Sequence, residues 1–139
     1  MKNVEVEIKV PYETRYLALI GKIGEDVVRT LRRLRGDREE LAYQVNLVLT
    51  EAIANVINHA SNEKCLPYIR ISLGVRENQF VIKVFDEGQG FDMESLPDPD
   101  FQSLEEGGRG VYLIRSVMDE VNYIQCEDGH VLEMVKHID

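Results

Sequence analysis

Apolar and polar residues fall into a few clear periods along the chain. In "VEVEIKV" (Val4 to Val10) they alternate, the pattern of a half-buried strand, and Pro11 closes it. From about Glu13 to Leu34, the residues Tyr16, Leu17, Ile20, Ile23, Val27, Val28, Leu31 and Leu34 recur at intervals of three and four, predicting an amphipathic helix. Gly36-Asp37 breaks it, and a second helix runs from roughly Arg38 to Ser61. "LPYIRISLGVRENQFVIKVFDEG" reads as a hairpin turning near Glu77-Asn78, with Ile69, Ile71, Leu73 and Val75 on one face of its first strand. Residues 88 to 110 carry Gly, Pro and Asp at loop density. A third helix is expected from Gly110 to about Asp119, then a second hairpin turning at Asp128-Gly129. The order β-α-α-β-β-loop-α-β-β predicts a two-layer α/β sandwich, a mostly antiparallel sheet with helices on one face.

Three places break the apolar rule. The second helix is apolar on most of its circumference, yet Gln44, Glu51, Asn55, Asn58 and Asn62 fall within one narrow stripe. A seam of one carboxylate and several amides suits a hydrated Mg²⁺ and an acid-base step, although such a seam also suits water. In "FVIKVFDEGQGFD", Asp86 is in phase with Phe80, Ile82 and Val84, on the side that faces the helices. A buried carboxylate needs donors. Gly88 and Gly90 follow, leaving bare backbone that a flat ligand can approach, or simply a turn with an Asp cap. Finally, "EEGGRGVYLIRSVMDEV" sets Gly107, Gly108 and Gly110 ahead of an apolar-periodic helix. Free N–H groups at a helix start make a phosphate site, and a glycine hinge is the competing reading.

Composition narrows the field. The 139 residues suit one domain, 1–139, and 44% hydrophobic with 29% charged residues is ordinary globular composition. A net charge of −9 argues against direct nucleic-acid binding, and the short basic run Arg29 to Arg38 reads as a helix end. No apolar run approaches a membrane span and no signal-peptide block opens the chain, so no membrane contact and a cytoplasmic protein are expected. Cys65 and Cys126 lack metal spacing and read as reduced, partly buried thiols.

Taken in order, Glu51-x-x-x-Asn55-x-x-x-His59-Ala60, Asp86-x-Gly88-x-Gly90 and Gly107-Gly108-x-Gly110 resemble the N, G1 and G2 boxes of the GHKL (Bergerat-fold) ATPases. Within that superfamily, "TEAIANVINHA" and "GGRGVYLIRSVMDEV" most resemble the anti-sigma factor serine/threonine-protein kinases, over essentially the whole chain. The resemblance implies ATP and Mg²⁺ as cofactors. Asn55 would ligate the metal and Glu51 would be the catalytic base. Asp86 would accept from the adenine amine, with Gly88 and Gly90 admitting base and ribose. Gly107, Gly108 and Gly110 would hold phosphates. Structural hydrogen bonding is the reading for His59. One departure stands out: where some members carry an arginine before the glycine loop, this chain has Glu106. Arg109, inside the loop, is the nearest alternative γ-phosphate ligand. The acidic lid between Gly90 and Gly107 is expected to point away from the phosphates.

The function implied is phosphorylation of a STAS-type anti-anti-sigma partner and sequestration of a sigma factor by a homodimer. The apolar positions of the first strand and helix would supply the dimer interface. Two alternatives differ in kind. A nucleotide-gated adaptor of the same fold would not need Glu51. A detached histidine kinase catalytic domain is disfavoured because no helical phosphoacceptor segment precedes Val4 and the lid is short.

Overall fold

A computed structural model of the chain describes residues 4–59, 68–86, 106–126 and 129–138. Its elements follow the expected order: β1 (Glu5–Pro11), a 3-10 turn (Thr14–Tyr16), α1 (Leu17–Arg29), α2 (Arg38–His59), β2 (Tyr68–Arg76), β3 (Gln79–Asp86), α3 (Glu106–Val117), β4 (Glu120–Cys126) and β5 (Gly129–His137). The strands form one sheet in the order β1-β2-β3-β5-β4, and every neighbouring pair is antiparallel. β1 is an edge strand, which is why Pro11, lacking an N–H, can end it opposite Tyr68.

The two-layer prediction is borne out. Ile69, Ile71 and Leu73 of β2, Phe80, Ile82 and Val84 of β3, and Leu132 and Met134 of β5 are buried in one core with Ile20, Val27 and Val28 of α1, Leu49 and Ile53 of α2, and Ile114 of α3. The other sheet face is polar and cross-linked. Arg70 lies over the Phe85 ring at 4.8 Å, and Lys83 Nζ stands 3.8 Å from Glu133. In β3, Val81 is also buried on that face, opposite Val135.

Several boundaries differ from the periodic pattern. The first helix is shorter than Glu13–Leu34 at both ends. It begins as a 3-10 turn and stops at Arg29, where Thr30 Oγ1 donates to the Val27 carbonyl at 2.7 Å. The Arg38 guanidinium then donates to the carbonyls of Val28 (3.0 Å) and Leu31 (2.5 Å), satisfying the helix end. Leu31 and Leu34 still face the core, so apolar spacing continued after the helix had ended. The basic run therefore caps a helix, as expected of it.

The third helix starts at Glu106 rather than Gly110 and takes in the glycines. The first-turn N–H groups of a helix have no intrahelical partner in any case, so Gly107 and Gly108 cost little there. In the C-terminal hairpin, Gly129 (φ 146°) already pairs with Cys126 as the first residue of β5. The connection is thus residues 127 and 128, which lie outside the described residues. Cys126 is exposed and free, not partly buried, because β4 is the far edge of the sheet. Cys65, Asn62 and residues 87–105, which hold most of the lid between Gly90 and Gly107, also lie outside the described residues. No helix among the described residues is long and apolar enough to cross a membrane.

Candidate nucleotide site

Helix α2 packs against α1 on one side and α3 on the other, and touches β3 beneath. Its apolar positions Leu41, Val45, Val48, Leu49, Ala52, Ile53 and Val56 are all buried. The polar seam passes from half-buried Gln44 and Glu51 to Asn55 and then to exposed Asn58. Asn55 is only 5% exposed, and its Nδ2 has no hydrogen-bond partner among the described residues. Burial therefore takes this part of the seam out of bulk solvent. An orphaned amide inside a protein is costly, so it points to a group that arrives with a ligand.

At the end of β3, Asp86 is 3% exposed, on the same face as Ile82 and Val84, as its phase predicts. Tyr12, just beyond β1, donates its hydroxyl to Asp86 Oδ1 at 3.2 Å. Nothing in the sequence pattern marks Tyr12, because the contact joins residues 74 positions apart and crosses β2. Asn55 and Asp86 are the two buried polar side chains among the described residues. Both had been singled out by their residue type and phase alone.

Glu51 and Asn55 stand one turn apart on α2, Asp86 ends β3, and Gly107, Gly108 and Gly110 lie at the start of α3; α2 touches both β3 and α3. An α3 start at Glu106 keeps the first-turn N–H groups of Gly107 and Gly108 available, while Gly110 lies deeper in the helix than the loop reading had it. Gly88 and Gly90 lie outside the described residues, as do the side chains of His59 and Arg109. Among the described residues no group of three carboxylate, imidazole or thiol side chains stands ready to hold a metal. A cation at Asn55 would need oxygens from the nucleotide. The amide suits this, since its two ends exchange by rotation and its oxygen is a hard ligand.

Residues 14–136 match the model of the histidine kinase-like ATPase domain. The serine-protein kinase RsbW of Oceanobacillus iheyensis is 30% identical over 147 residues, covering 99% of this chain and 90% of the relative. The chain belongs to the histidine kinase-like ATPase family, in its anti-sigma serine kinase branch. The RsbW of Bacillus subtilis is 29% identical and matches 96% of this chain and 85% of its own length. Among solved structures, the RsbU and RsbW domains of a Mycobacterium tuberculosis protein superpose with a TM-score of 0.70 at 10% identity, over 97% of this chain. That match spans 32% of the longer chain. The histidine kinase domain of a blue-light-activated kinase from Erythrobacter litoralis gives a TM-score of 0.58 at 17% identity, over 93% of this chain and 62% of that one. At such identities these two support the fold alone.

Proposed function

We propose that this chain, acting as one ATPase unit over residues 1–139, is an ATP-dependent protein-serine/threonine kinase of the anti-sigma type. It transfers phosphate to a STAS-type anti-anti-sigma partner and sequesters a sigma factor. The observation that carries the site is the coincidence of burial and chemistry: the two buried polar side chains among the described residues are of the kinds an ATP pocket of this family uses. Asp86 accepts from the adenine amine, with Gly88 and Gly90 leaving room for base and ribose. The first-turn N–H groups at Gly107 and Gly108, with Gly110 and Arg109 following, take the phosphates. Asn55 binds Mg²⁺, which when bound neutralises phosphate charge. Glu51 takes the proton of the serine or threonine hydroxyl as its oxygen attacks the γ-phosphorus and ADP leaves. The reading places the protein in the cytoplasm, where its nucleotide and partners are found. A homodimer through β1 and α1 is supported by the open edge of β1 and by Leu19, 52% exposed on α1.

The test separates a kinase from an adaptor. Glu51→Ala removes the base while leaving Asp86, Asn55 and the glycines in place. ATP affinity is expected to stay nearly unchanged, and transfer of labelled phosphate to a co-encoded STAS protein to fall by ~10²-fold or more. Equal transfer rates for the variant and the wild type would remove Glu51 from catalysis. Tight ATP binding without transfer by the wild type would favour the nucleotide-gated adaptor.

A further inference from the structure

The outer face of the sheet holds an arrangement that stability alone does not favour. Lys9 of β1 and Arg70 of β2 are direct cross-strand partners, and both are exposed. Like charges opposite one another destabilise a sheet. Neither has an ion pair among the described residues, whereas Lys83, one row further along the same face, has Glu133 at 3.8 Å. The two side chains rest on rings instead. Lys9 Nζ lies over Tyr68, 5.9 Å from the ring centroid, and the Arg70 guanidinium lies over Phe85 at 4.8 Å. These contacts are made through the ring faces and leave the N–H groups of both cations free to donate.

Beside them opens a cleft of about 390 Å³, lined by both cations with Glu7, Ser72 and Phe85. That volume lies within the range of small-molecule sites. The cleft is separate from the nucleotide site, since Phe85 points to the outer face and Asp86, the next residue, to the core. Ser72 faces Glu7 across the ladder, in the row next to Lys9 and Arg70. Glu7 makes no ion pair with either cation, and two cations against one carboxylate leave an excess positive charge in the cleft. On a protein of net charge −9 this is a local reversal of the general field.

An anion between Lys9 and Arg70 turns their repulsion into two attractions. The donors suit it: a guanidinium offers a planar fork that matches two oxygens of a carboxylate or phosphate, an ammonium adds a point charge, and the Ser72 hydroxyl can donate as well. We propose that this outer cleft is a binding site for a small carboxylate or phosphate anion, held between Arg70 and Lys9 with Ser72 as a third donor. The inference does not depend on the kinase reading, because it uses none of the residues assigned to ATP.

The experiment is an amide nitrogen–proton NMR titration at fixed ionic strength, with inorganic phosphate in one arm and succinate in the other. The wild type is expected to give saturable shifts centred on the amides of Lys9, Arg70 and Ser72. Saturation by either anion supports the site, and the tighter of the two names its class. Phosphate shifts at the start of α3 would report the nucleotide site and are read separately. The double variant Lys9→Gln, Arg70→Gln should bind at least about tenfold more weakly at the cleft, the scale of a lost charged hydrogen bond, with ATP affinity unchanged. Glu7→Gln should bind more tightly, because a like charge leaves the cleft. Shifts that never saturate, or that spread equally to exposed Arg32 and Arg33, would mean screening of surface cations and overturn the inference. Undiminished binding by the double variant, or weaker binding by Glu7→Gln, would do the same. Shifts at these amides on raising the protein concentration alone would give the cleft to a second copy and also overturn it. If the double variant does not fold, the wild type and Glu7→Gln still decide.

Discussion

Tyr12 is the residue whose value is easiest to isolate. Its hydroxyl reaches Asp86 Oδ1 across β2, and so bears on the carboxylate to which the proposed function assigns adenine recognition. Tyr12→Phe keeps the ring and removes the donor. Loss of one such bond is worth about 1 kcal/mol, so ATP affinity is expected to fall roughly fivefold in calorimetry, with an unchanged circular dichroism spectrum. Unchanged affinity would make the hydroxyl a purely structural partner. Asn55→Ala carries a different signature. It should weaken the Mg²⁺ dependence of ATP binding specifically, and an unaltered Mg²⁺ requirement would move the metal elsewhere. Asn55 and Asp86 were legible in the sequence because each is a polar break in an apolar period, and the period states which way the side chain points. Tyr12 was not. Its contact is with a residue on another strand, and a local pattern carries no information about which strands become neighbours.

At the scale of elements, the contact between α1 and α2 depends on two glycines that periodicity passes over. A Cβ at Gly24 would stand 2.4 Å from Leu49 Cδ1 and 3.0 Å from Val45 Cγ1, and both neighbours are fully buried. Overpacking of this kind costs about 1–3 kcal/mol, whereas alanine recovers about 1 kcal/mol of helix propensity. Gly24→Ala should therefore lose about 1 kcal/mol net, seen as a lower denaturation midpoint at unchanged m-value. A second tie is electrostatic. Arg29 bridges Glu25 and Asp26 on α1 to Glu39 on α2. The hydrogen bond from Arg29 holds the Glu39 carboxyl below its ordinary value of 4.5, and that from Lys22, followed by Arg29, holds Asp26 below 3.8. Carboxyls depressed in the folded state stabilise it above their unfolded values, and that contribution is lost as pH falls through the lower folded values. Stability should thus decline on acidification below roughly pH 4.5, less steeply in Arg29→Ala, and the difference should shrink in high salt because these groups are exposed. The helix boundaries show why this level was only partly legible. The apolar spacing from Tyr16 to Leu34 is real, but α1 ends at Arg29 because Thr30 and Arg38 satisfy its carbonyls, and capping is invisible to a period.

For the molecule as a whole, two hairpins, three helices and their order could be read from the chain, while the sheet order β1-β2-β3-β5-β4 joins segments far apart in sequence, such as β1 to β2 and β3 to β5, and could not. In the proposed function one ligand touches α2, β3 and α3 together, and this gives the final prediction. A protein of net charge −9 offers ATP no general attraction, so binding must come from buried acceptors, backbone N–H groups and a bound cation. A ligand that binds the folded chain alone stabilises it by mass action, about 2.7 kcal/mol at a hundredfold excess over the dissociation constant. For a chain of this size that corresponds to a rise in melting temperature on the order of 10 °C. Thermal scans with ATP and Mg²⁺ should show this rise, and chelation of the metal should remove most of it, since uncompensated phosphates meet an acidic surface. Asp86→Asn should abolish the rise, because the base loses its acceptor. Glu51→Ala should retain it in full, because the role proposed for its carboxylate is on the incoming hydroxyl and not on ATP. A Glu51→Ala protein that no longer responds to nucleotide would place that carboxylate among the binding groups. A wild type indifferent to chelation would take the cation out of the pocket.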